Sequence, residues 1–281
     1  SRANTVTKVT ASGKASTLGA TGKTPRGIAV DSSGNVYTSN LADNTVTKIT
    51  PGGGSTVLGA TGAKPIDVAV DSAGNVYTTN YADSTVTKIT PGGASSVLGA
   101  TGSRPLGTTL DPQGNVYTAN EGANTVTKIT PGGAASTFGK TGAWPQAIAI
   151  DRSGNIYTAN WVSNNVSKIT PSGKSTIYGK TGKKPIGLVV DPYGAVFTTN
   201  DGANTVSKIS RTGRAKVIAS TGRRPIGIAS DAAGFLYTAN FLSNTITEIY
   251  PTPKGSPNVL TLNTVSVLKP GNRDAWIIPF W

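Results

Sequence analysis

Short runs of alternating apolar and polar residues, separated by turn-forming residues, recur along most of the chain. In residues 21–60 four such runs stand at Ile28–Val30, Val36–Thr38, Val46–Ile49 and Thr56–Leu58. Asp, Gly and Asn separate the first two runs, and Pro-Gly-Gly separates the last two, as expected of tight turns. The alternation predicts four short β-strands, called a, b, c and d here.

The four-strand pattern is one unit of a tandem 40-residue repeat. Units begin at positions 21, 61, 101, 141, 181 and 221, without insertion or deletion before residue 250. Four strands in about 40–45 residues, repeated about six times, are typical of a propeller blade. No segment shows the 3.6-residue period of a helical solenoid. We therefore predict an all-β fold: a single β-propeller domain over residues 1–281, built from four-stranded antiparallel blades.

The two ends of the chain decide the predicted number of blades. Residues 1–20 match the second half of a unit, so 1–20 and 261–281 together are predicted to form a closing blade that leaves no open sheet edge. The four candidate strands of that blade are Thr5–Thr10, Ser16–Leu18, Thr264–Leu268 and Ala275–Phe280. Seven blades is the prediction. Six blades, with the tail packed outside, is the alternative, and Pro279 favours it because Pro is poorly tolerated inside a sheet.

The composition restricts the chemistry. The chain has 26 Lys and Arg against 13 Asp and Glu, a formal net charge of +13, and it has no Cys, His or Met. Without His the usual general base and the usual zinc ligand are missing. No apolar run approaches the ~20 residues of a membrane helix. The basic balance favours anionic partners such as acidic glycans, anionic polymers or nucleic acid, although it also serves solubility.

Composition and processing bear on localisation. The chain is rich in Thr, Ser, Asn and Gly, it starts within a repeat, and it lacks an initiator Met. These features favour a mature secreted or extracellular protein, with the cell surface and the periplasm as alternatives. We expect a monomer with no cofactor, whose partner is an anionic or glycan ligand or another protein.

The repeat also resembles known propellers. The segment PRGIAVDSSGNVYTSN at residues 25–40, followed by NTVTKI at 44–49, is similar to NHL-repeat propellers and to streptogramin-lyase-type propellers. The resemblance covers residues 1–250. It implies the propeller fold but not one function, because similar propellers serve as extracellular sensors, RNA-binding domains and lyases.

The enzymatic branch of this resemblance lacks its key residue here. Streptogramin-lyase-type enzymes use a catalytic His and a metal held with help from a carboxylate, and related peptide-amidating lyases hold zinc through His. This chain has no His, so those roles cannot be carried over.

Positions that are constant between the repeats are expected to serve the blade. The Asp residues that end strand a are predicted to cap their turns, with a metal-binding ring as the alternative. They are Asp31, Asp71, Asp111, Asp151, Asp191 and Asp231. An aromatic residue in strand b, as at Tyr37, is predicted to pack between blades, with stacking on a ligand as the alternative. A Lys at the end of strand c, as at Lys48, is predicted to form a solvated rim whose stems lie on apolar surface, with an anion-binding ring as the alternative.

Positions that vary between the repeats concentrate in the b–c and d–a links, which strand alternation places on one face of the propeller. We call this surface the loop face. Variable loops on a rigid scaffold are typical of a binding site, although drift in unconstrained loops is the alternative. The predicted ligand-binding residues are Tyr81, Trp144, Trp161, Phe241, Arg104, Lys183, Lys184, Arg223, Arg224, Asp67, Glu121 and Asp201.

These residues offer three kinds of contact. The aromatic rings suit stacking on sugars, bases or peptide side chains, and the Lys and Arg residues form a basic cluster suited to an anionic group. Asp67 replaces a Gly or Ala just before strand a and is expected near the mouth of the central channel. Together with Asp201 or Glu121 it could hold calcium through oxygen ligands.

The sequence thus favours a non-catalytic secreted propeller that binds a glycan, an anionic polymer or a peptide on the loop face. A lyase- or hydrolase-type enzyme with a carboxylate or metal site at the channel mouth is the alternative, and nucleic-acid binding is a further one. No nucleophile elbow, phosphate-binding loop or zinc signature supports catalysis.

Overall fold

A computed structural model describes residues 3–10, 12–231 and 233–250, and it places two further strands in the tail. All regular structure in these residues is β. The first two strands are β1 (Thr5–Val9) and β2 (Ala15–Ala20). Blade 1 contains β3 (Pro25–Val30), β4 (Val36–Asn40), β5 (Thr45–Ile49) and β6 (Ser55–Ala60). Blade 2 contains β7 (Pro65–Val70), β8 (Val76–Asn80), β9 (Thr85–Ile89) and β10 (Ser95–Ala100).

The same four strands return in each later repeat. Blade 3 contains β11 (Pro105–Leu110), β12 (Val116–Asn120), β13 (Thr125–Ile129) and β14 (Ala135–Lys140). Blade 4 contains β15 (Pro145–Ile150), β16 (Ile156–Asn160), β17 (Asn165–Ile169) and β18 (Ser175–Lys180). Blade 5 contains β19 (Pro185–Val190), β20 (Val196–Asn200), β21 (Thr205–Ile209) and β22 (Ala215–Ser220). Blade 6 contains β23 (Pro225–Ser230), β24 (Leu236–Asn240) and β25 (Thr245–Ile249), and it is completed by β26 (Leu262–Ser266).

Each of these six blades is a four-stranded antiparallel sheet whose strands follow chain order. Strand a is innermost, and consecutive a strands pack against one another from β3 to β23. The predicted strands a to d are therefore confirmed, each one to three residues longer than its alternating run. The links are correspondingly short, and the d–a link of blade 1 covers only residues 61–64.

The predicted seven-blade count is wrong, and the alternative of six four-stranded blades is confirmed. The predicted tail strand at 264–268 overlaps β26, which pairs antiparallel with β25 and so serves as the outer strand of blade 6. The last strand, β27 (Ile277–Ile278), pairs parallel with β1 in a three-stranded sheet with β2. A closing blade would need an antiparallel partner for β1 instead. Residues 267–268, 275–276 and 279–280 of the predicted strands lie outside the described residues.

The core lies between blades. Every residue of β4, Val36–Asn40, is buried, and Tyr37 of blade 1 packs with Val68 and Val76 of blade 2. The predicted role of the strand-b aromatic in packing between blades is therefore confirmed. Because a blade has two apolar faces, it becomes stable only when neighbours cover both of them.

Buried polar side chains hold the strands of each blade in register. The side-chain amide of Asn40 is fully buried and donates to the hydroxyls of Thr45 and Thr47 at 3.0 and 2.9 Å. Thr38 donates to the carbonyl oxygen of the same amide at 3.2 Å. Satisfying each polar atom makes the burial of an Asn tolerable. This network explains why the motif Thr-x-Asn ends strand b in every repeat.

The Asp that ends strand a caps its turn, as predicted. Asp31 accepts hydrogen bonds from the backbone N–H groups of Ser33 and Asn35 at 2.9 Å, from the Asn35 amide at 2.8 Å and from the Tyr37 hydroxyl at 2.9 Å. Burial opposes ionisation of Asp31, but these donors outweigh it and lower the pKa of Asp31. Burial and the nearby carboxylate raise the pKa of Tyr37 to about 12. All the acceptor capacity of Asp31 is directed into its own blade.

Candidate functional site

A central cavity of about 1570 Å³ opens among the innermost strands. A Pro begins strand a in every repeat, and the residue that follows this Pro lines the cavity in all six blades. These residues are Arg26, Ile66, Leu106, Gln146, Ile186 and Ile226. Three blades therefore place Ile at the cavity, whereas the other three place Arg, Leu and Gln there.

The b–c and d–a links meet at the mouth of the cavity, as the strand alternation predicted. In blade 2 the backbone N–H of Tyr81, at the start of the b–c link, donates to the carbonyl of Lys64, the residue before Pro, at 3.0 Å. In blade 4 Trp161 donates in the same way to Trp144 at 2.9 Å. Every blade repeats this bond, so each contributes one pair of adjacent variable side chains to the loop face. The pairs are Thr24–Leu41, Lys64–Tyr81, Arg104–Glu121, Trp144–Trp161, Lys184–Asp201 and Arg224–Phe241.

The residue before Pro has an unusual backbone. Its φ is positive in all six blades, between 53° and 57°, in the left-handed region that Gly and Asn prefer. In blade 4 this residue is Trp144, whose N–H donates to the Asn124 side chain of blade 3 at 2.8 Å. The hydrogen bonds at its N–H and its carbonyl hold the strained conformation. A position under only backbone constraints would favour Gly, so the large side chains here call for a separate explanation.

Blade 4 presents a pair of stacked indoles. The rings of Trp144 and Trp161 lie 5.5 Å apart at an interplanar angle of 15°. The Lys184 ammonium of blade 5 lies 4.5 Å from the centre of the Trp161 ring, a distance suited to a cation–π contact. Trp144 is 43% exposed, which leaves part of its ring open to solvent.

Blades 5 and 6 present a fixed guanidinium. Arg224 Nε donates to Asp201 Oδ1 at 2.9 Å, and the guanidinium lies 5.5 Å from the centre of the Phe241 ring. The Asp201 side chain is 10% exposed, whereas that of Arg224 is 46% exposed. Because Nε is already bonded, the outer N–H groups of Arg224 are left to face solvent in one orientation.

Blades 2 to 4 present a carboxylate shared by several donors. Tyr81 donates to Glu121 Oε2 at 3.3 Å, and Gln146 donates to Glu121 Oε1 at 3.3 Å. Arg104 Nη1 lies 3.8 Å from Glu121 Oε2, a loose ion pair whose partners are 53% and 13% exposed. The hydroxyl of Tyr81 and the charge of Glu121 raise the pKa of Arg104.

The predicted basic cluster is divided by these contacts. Lys184 lies over an indole and Arg224 is paired with a carboxylate, whereas Lys183 and Arg223 are exposed. Of the predicted site residues, Tyr81, Glu121, Arg224, Phe241 and Asp67 line the cavity itself. The others stand on the links around it. They are Arg104, Trp144, Trp161, Lys183, Lys184, Asp201 and Arg223.

Asp67 lines the cavity, as expected, but it also joins two blades. Its Oδ2 accepts the backbone N–H of Thr108, in the innermost strand of blade 3, at 2.8 Å. Burial raises the pKa of Asp67 to about 6, although the N–H groups of Thr108 and Val68 favour its charged form. Among the described residues, no group of three or more Asp or Glu has the arrangement of a metal site. Calcium binding by Asp67 with Asp201 or Glu121 therefore stays a prediction.

The sequence did not reveal two features of the site. The inter-blade acceptor role of Asp67 depends on the backbone N–H of Thr108. Any residue except Pro would supply that N–H, so the residue type at position 108 carries no signal of the contact. The left-handed backbone before Pro has no signal either, because residues before Pro ordinarily prefer extended conformations.

Comparison with known proteins gives a family and several similar structures. A family model described as the virginiamycin B lyase family matches residues 12–266. No curated protein sequence matches the chain significantly. The described part of the chain contains no helix that could cross a membrane.

Three solved structures share the fold. Virginiamycin B lyase from Staphylococcus aureus is 21% identical with a TM-score of 0.72, covering 85% of this chain and 83% of that one. A catalytically inactive histidine-to-alanine variant of that enzyme, solved with quinupristin, is 23% identical with a TM-score of 0.73, covering 86% and 84%. A streptogramin B lyase is 17% identical with a TM-score of 0.78, covering 90% and 86%.

Proposed function

The chain belongs to the virginiamycin B lyase family, and we propose that it acts within this family as a non-catalytic binding protein. Its ligand is a glycan or peptide that carries flat rings and an anionic group. The ligand lies across the loop face, at the mouth of the central cavity. The observation that carries this proposal is the arc of aromatic and cationic side chains over blades 4 to 6. The arc consists of Trp144, Trp161, Lys184, Arg224 and Phe241.

The arc is organised before any ligand arrives. The two stacked indoles, Trp144 and Trp161, and the guanidinium of Arg224 are held by neighbouring side chains. Fixed side chains lose little conformational entropy when a ligand binds, which raises affinity. Large residues kept in left-handed backbone also favour function over drift, since strain of this kind gathers at functional sites.

The arc also indicates the shape of the ligand. The open part of the Trp144 ring accepts a flat ring by stacking. The outer N–H groups of Arg224 accept a carboxylate, sulfate or phosphate. Because Trp144 is in blade 4 and Arg224 in blade 6, one ligand reaching both must extend across blade 5.

The proposal of binding without catalysis is supported by residue types. In the Staphylococcus aureus relative, replacing a histidine gives an inactive enzyme that was solved with quinupristin. The 281 residues of this chain contain no histidine. A ligand site without that residue is consistent with binding alone.

Titration of a panel containing quinupristin, glycans and acidic peptides tests the proposal. We expect Trp161→Ala and Arg224→Ala each to weaken binding at least ~10-fold, because each removes a fixed contact at the arc. Lys48→Ala, in strand c of blade 1 and away from the arc, is the control and is expected to bind like the wild type. Mass spectrometry is expected to recover the ligand intact. Wild-type affinity in both arc variants would overturn the site, and cleavage of a ligand would overturn the non-catalytic assignment.

A second candidate function is supported by Asp67 alone. Its carboxyl lines the cavity and has a pKa of about 6, a value suited to general acid–base catalysis. A lyase- or hydrolase-type reaction would then depend on this residue. Under this alternative Asp67→Asn abolishes turnover of a panel ligand while ligand affinity persists.

A further inference from the structure

The positive charge of the chain is distributed unevenly around the propeller. Residues 141–220, which form blades 4 and 5, contain ten Lys and Arg against three Asp. Residues 21–140, which form blades 1 to 3, contain eight Lys and Arg against seven Asp and Glu. More than half of the net charge of +13 therefore lies in two adjacent blades. Such a one-sided field attracts an extended polyanion to one sector.

The centre of this sector is a hairpin of blade 5 that we call the basic hairpin, residues 208–216. It carries four exposed cations, none of which forms an ion pair with a described residue. They are Lys208, Arg211, Arg214 and Lys216. Lys208 and Lys216 are direct cross-strand partners, an arrangement that costs stability because like charges face each other. A polyanion bound over the hairpin would offset that cost.

The basic hairpin replaces a neutral turn. In blade 1 the positions of Arg211, Arg214 and Lys216 are occupied by Pro51, Gly54 and Thr56. The change is therefore not required by the blade, because the same strands form with the neutral residues. The blade 1 sequence also offers a natural template for removing the charges.

The hairpin joins its neighbours into one surface. A Cβ atom placed on Gly194 would lie 3.4 Å from Arg211 Cγ, so the Arg211 stem crosses the a–b turn beside Tyr193. Tyr193 is 75% exposed. The Tyr178 hydroxyl of blade 4 donates to the Ser210 carbonyl at 2.9 Å. The hairpin therefore adjoins β18, which Lys174 precedes, and its turn lies on the face opposite the loop face.

We propose that the basic hairpin, with Lys174 and Tyr193, binds a flexible phosphate polymer along the outer edge of blades 4 and 5. Five cations without an acidic partner among the described residues match the closely spaced charges of such a polymer, and each contact releases a counterion. The exposed Tyr193 ring adds a stacking surface if the polymer carries bases. This surface is separate from the loop face and does not depend on the ligand proposed there.

Fluorescence anisotropy with a labelled oligothymidine of roughly 20 nucleotides, competed by linear polyphosphate, tests the proposal. Five phosphate contacts predict that affinity for oligothymidine falls about 100-fold between about 50 and about 200 mM salt. The variant R211P/R214G/K216T gives blade 5 the residues of blade 1. It is expected to bind at least about 100-fold more weakly at the lower salt, with a salt slope smaller by about two.

An exchange variant separates location from total charge. Adding P91R/A94R/S96K to that triple variant moves the three cations to blade 2 and keeps the net charge at +13. The proposal predicts that this protein binds clearly more weakly than the wild type, because Gly54 and Ala73 stand there at the positions of Lys174 and Tyr193. Wild-type affinity in the exchange variant, or salt-independent binding by the wild type, would overturn it. Cooperative thermal unfolding at or above the wild-type temperature in the triple variant, and near it in the exchange variant, shows that the blades are intact.

Two further variants identify the polymer and the surface. Tyr193→Ala weakens oligothymidine but not polyphosphate if bases are recognised, and it leaves both unchanged if phosphate alone is recognised. Either result supports the surface, and the two results distinguish a polymer recognised through its bases from one recognised through phosphate alone. Lys88→Ala, in strand c of blade 2 and away from the basic hairpin, is expected to leave both affinities unchanged, and a large loss in it would overturn the placement of the site.

Discussion

Replacement of Asp67 by Asn tests whether the cavity acid is as buried as its contacts indicate. The Asn side chain keeps an oxygen that can accept the Thr108 N–H at the position of Asp67 Oδ2. The change therefore removes the titrating proton and the charge while it preserves the bond between blades 2 and 3. The consequence is a difference in pH dependence rather than a loss of structure.

The expected magnitude follows from the pKa. Asp67 has an ordinary value of 3.8 that burial raises to about 6 in the folded state. The folded protein holds this proton more tightly than the unfolded chain does. The free energy of unfolding therefore falls as pH rises from about 4 to about 6, by at most about 3 kcal/mol. Asn does not titrate, so the stability of Asp67→Asn relative to the wild type rises by that amount across the window.

Urea unfolding of both proteins at several pH values between about 4 and about 7 measures the difference. Other carboxylates titrate in both proteins and cancel. Asp71→Asn is the control with the opposite sign, because hydrogen bonds from Asn75 and Tyr77 outweigh burial and lower the pKa of Asp71. Its stability relative to the wild type should fall as pH rises, and because most of this change lies below the ordinary pKa of 3.8, the series for Asp71→Asn extends to about pH 2. A pH-independent difference for Asp67→Asn would refute the burial of a titrating carboxyl in the cavity.

Three further predictions concern the blades themselves. Gly27→Ala should destabilise the fold by about 1–3 kcal/mol, because the new Cβ would lie 2.6 Å from the Asp67 Cα, whereas Gly52→Ala, with no atom within 4 Å, should change thermal unfolding little. Lys64→Val should lower the free energy of unfolding in urea by about 1–2 kcal/mol, because a β-branched residue fits left-handed backbone poorly, while Lys64→Gly should not lower it. Equal effects of the two variants would contradict a strained backbone at residue 64. Phe197→Tyr should stabilise blade 5 by about 1 kcal/mol by giving Asp191 the hydroxyl that its counterparts receive, and a lower melting temperature would count against that role.

Much of the fold follows from local pattern. The alternating runs predicted strands a to d, because each run has one side that must be buried between blades. The turn residues marked the loops between them, and the Asp at the end of strand a was assigned its capping role from its position alone. The loop face was also predictable, because strand alternation decides which links share a face.

The ends of the chain were less predictable, because they lie outside the repeat. The tail strand Leu262–Ser266 pairs with β25, although the register of the repeat, counted 40 positions on from Ala215–Ser220, would place the outer strand of blade 6 at 255–260. An alternating run can occupy any free sheet edge, so its pattern does not choose between edges. The same limit applies to Ile277–Ile278, whose parallel pairing with β1 has no local signal.

The site was predicted as a set of residues but not as a set of contacts. The sequence placed Trp144 and Trp161 on one face, and only the three-dimensional arrangement shows that they stack on each other. It grouped Lys184 with Arg224 by charge, although one lies over an indole and the other pairs with Asp201. Contacts between neighbouring blades depend on side-chain orientation, which the residue type does not specify.

The most direct test of the account gives the loop face of blades 4 and 6 the residues of blade 1. The variant W144T/W161L/R224T/F241L places Thr and Leu where blade 1 has Thr24 and Leu41, so the backbone should be retained. Titration of the glycan, peptide and quinupristin panel is expected to show binding by the wild type and none by this variant, with thermal unfolding preserved. Wild-type affinity in the folded variant would contradict the claim that the variable side chains around the cavity form the binding site.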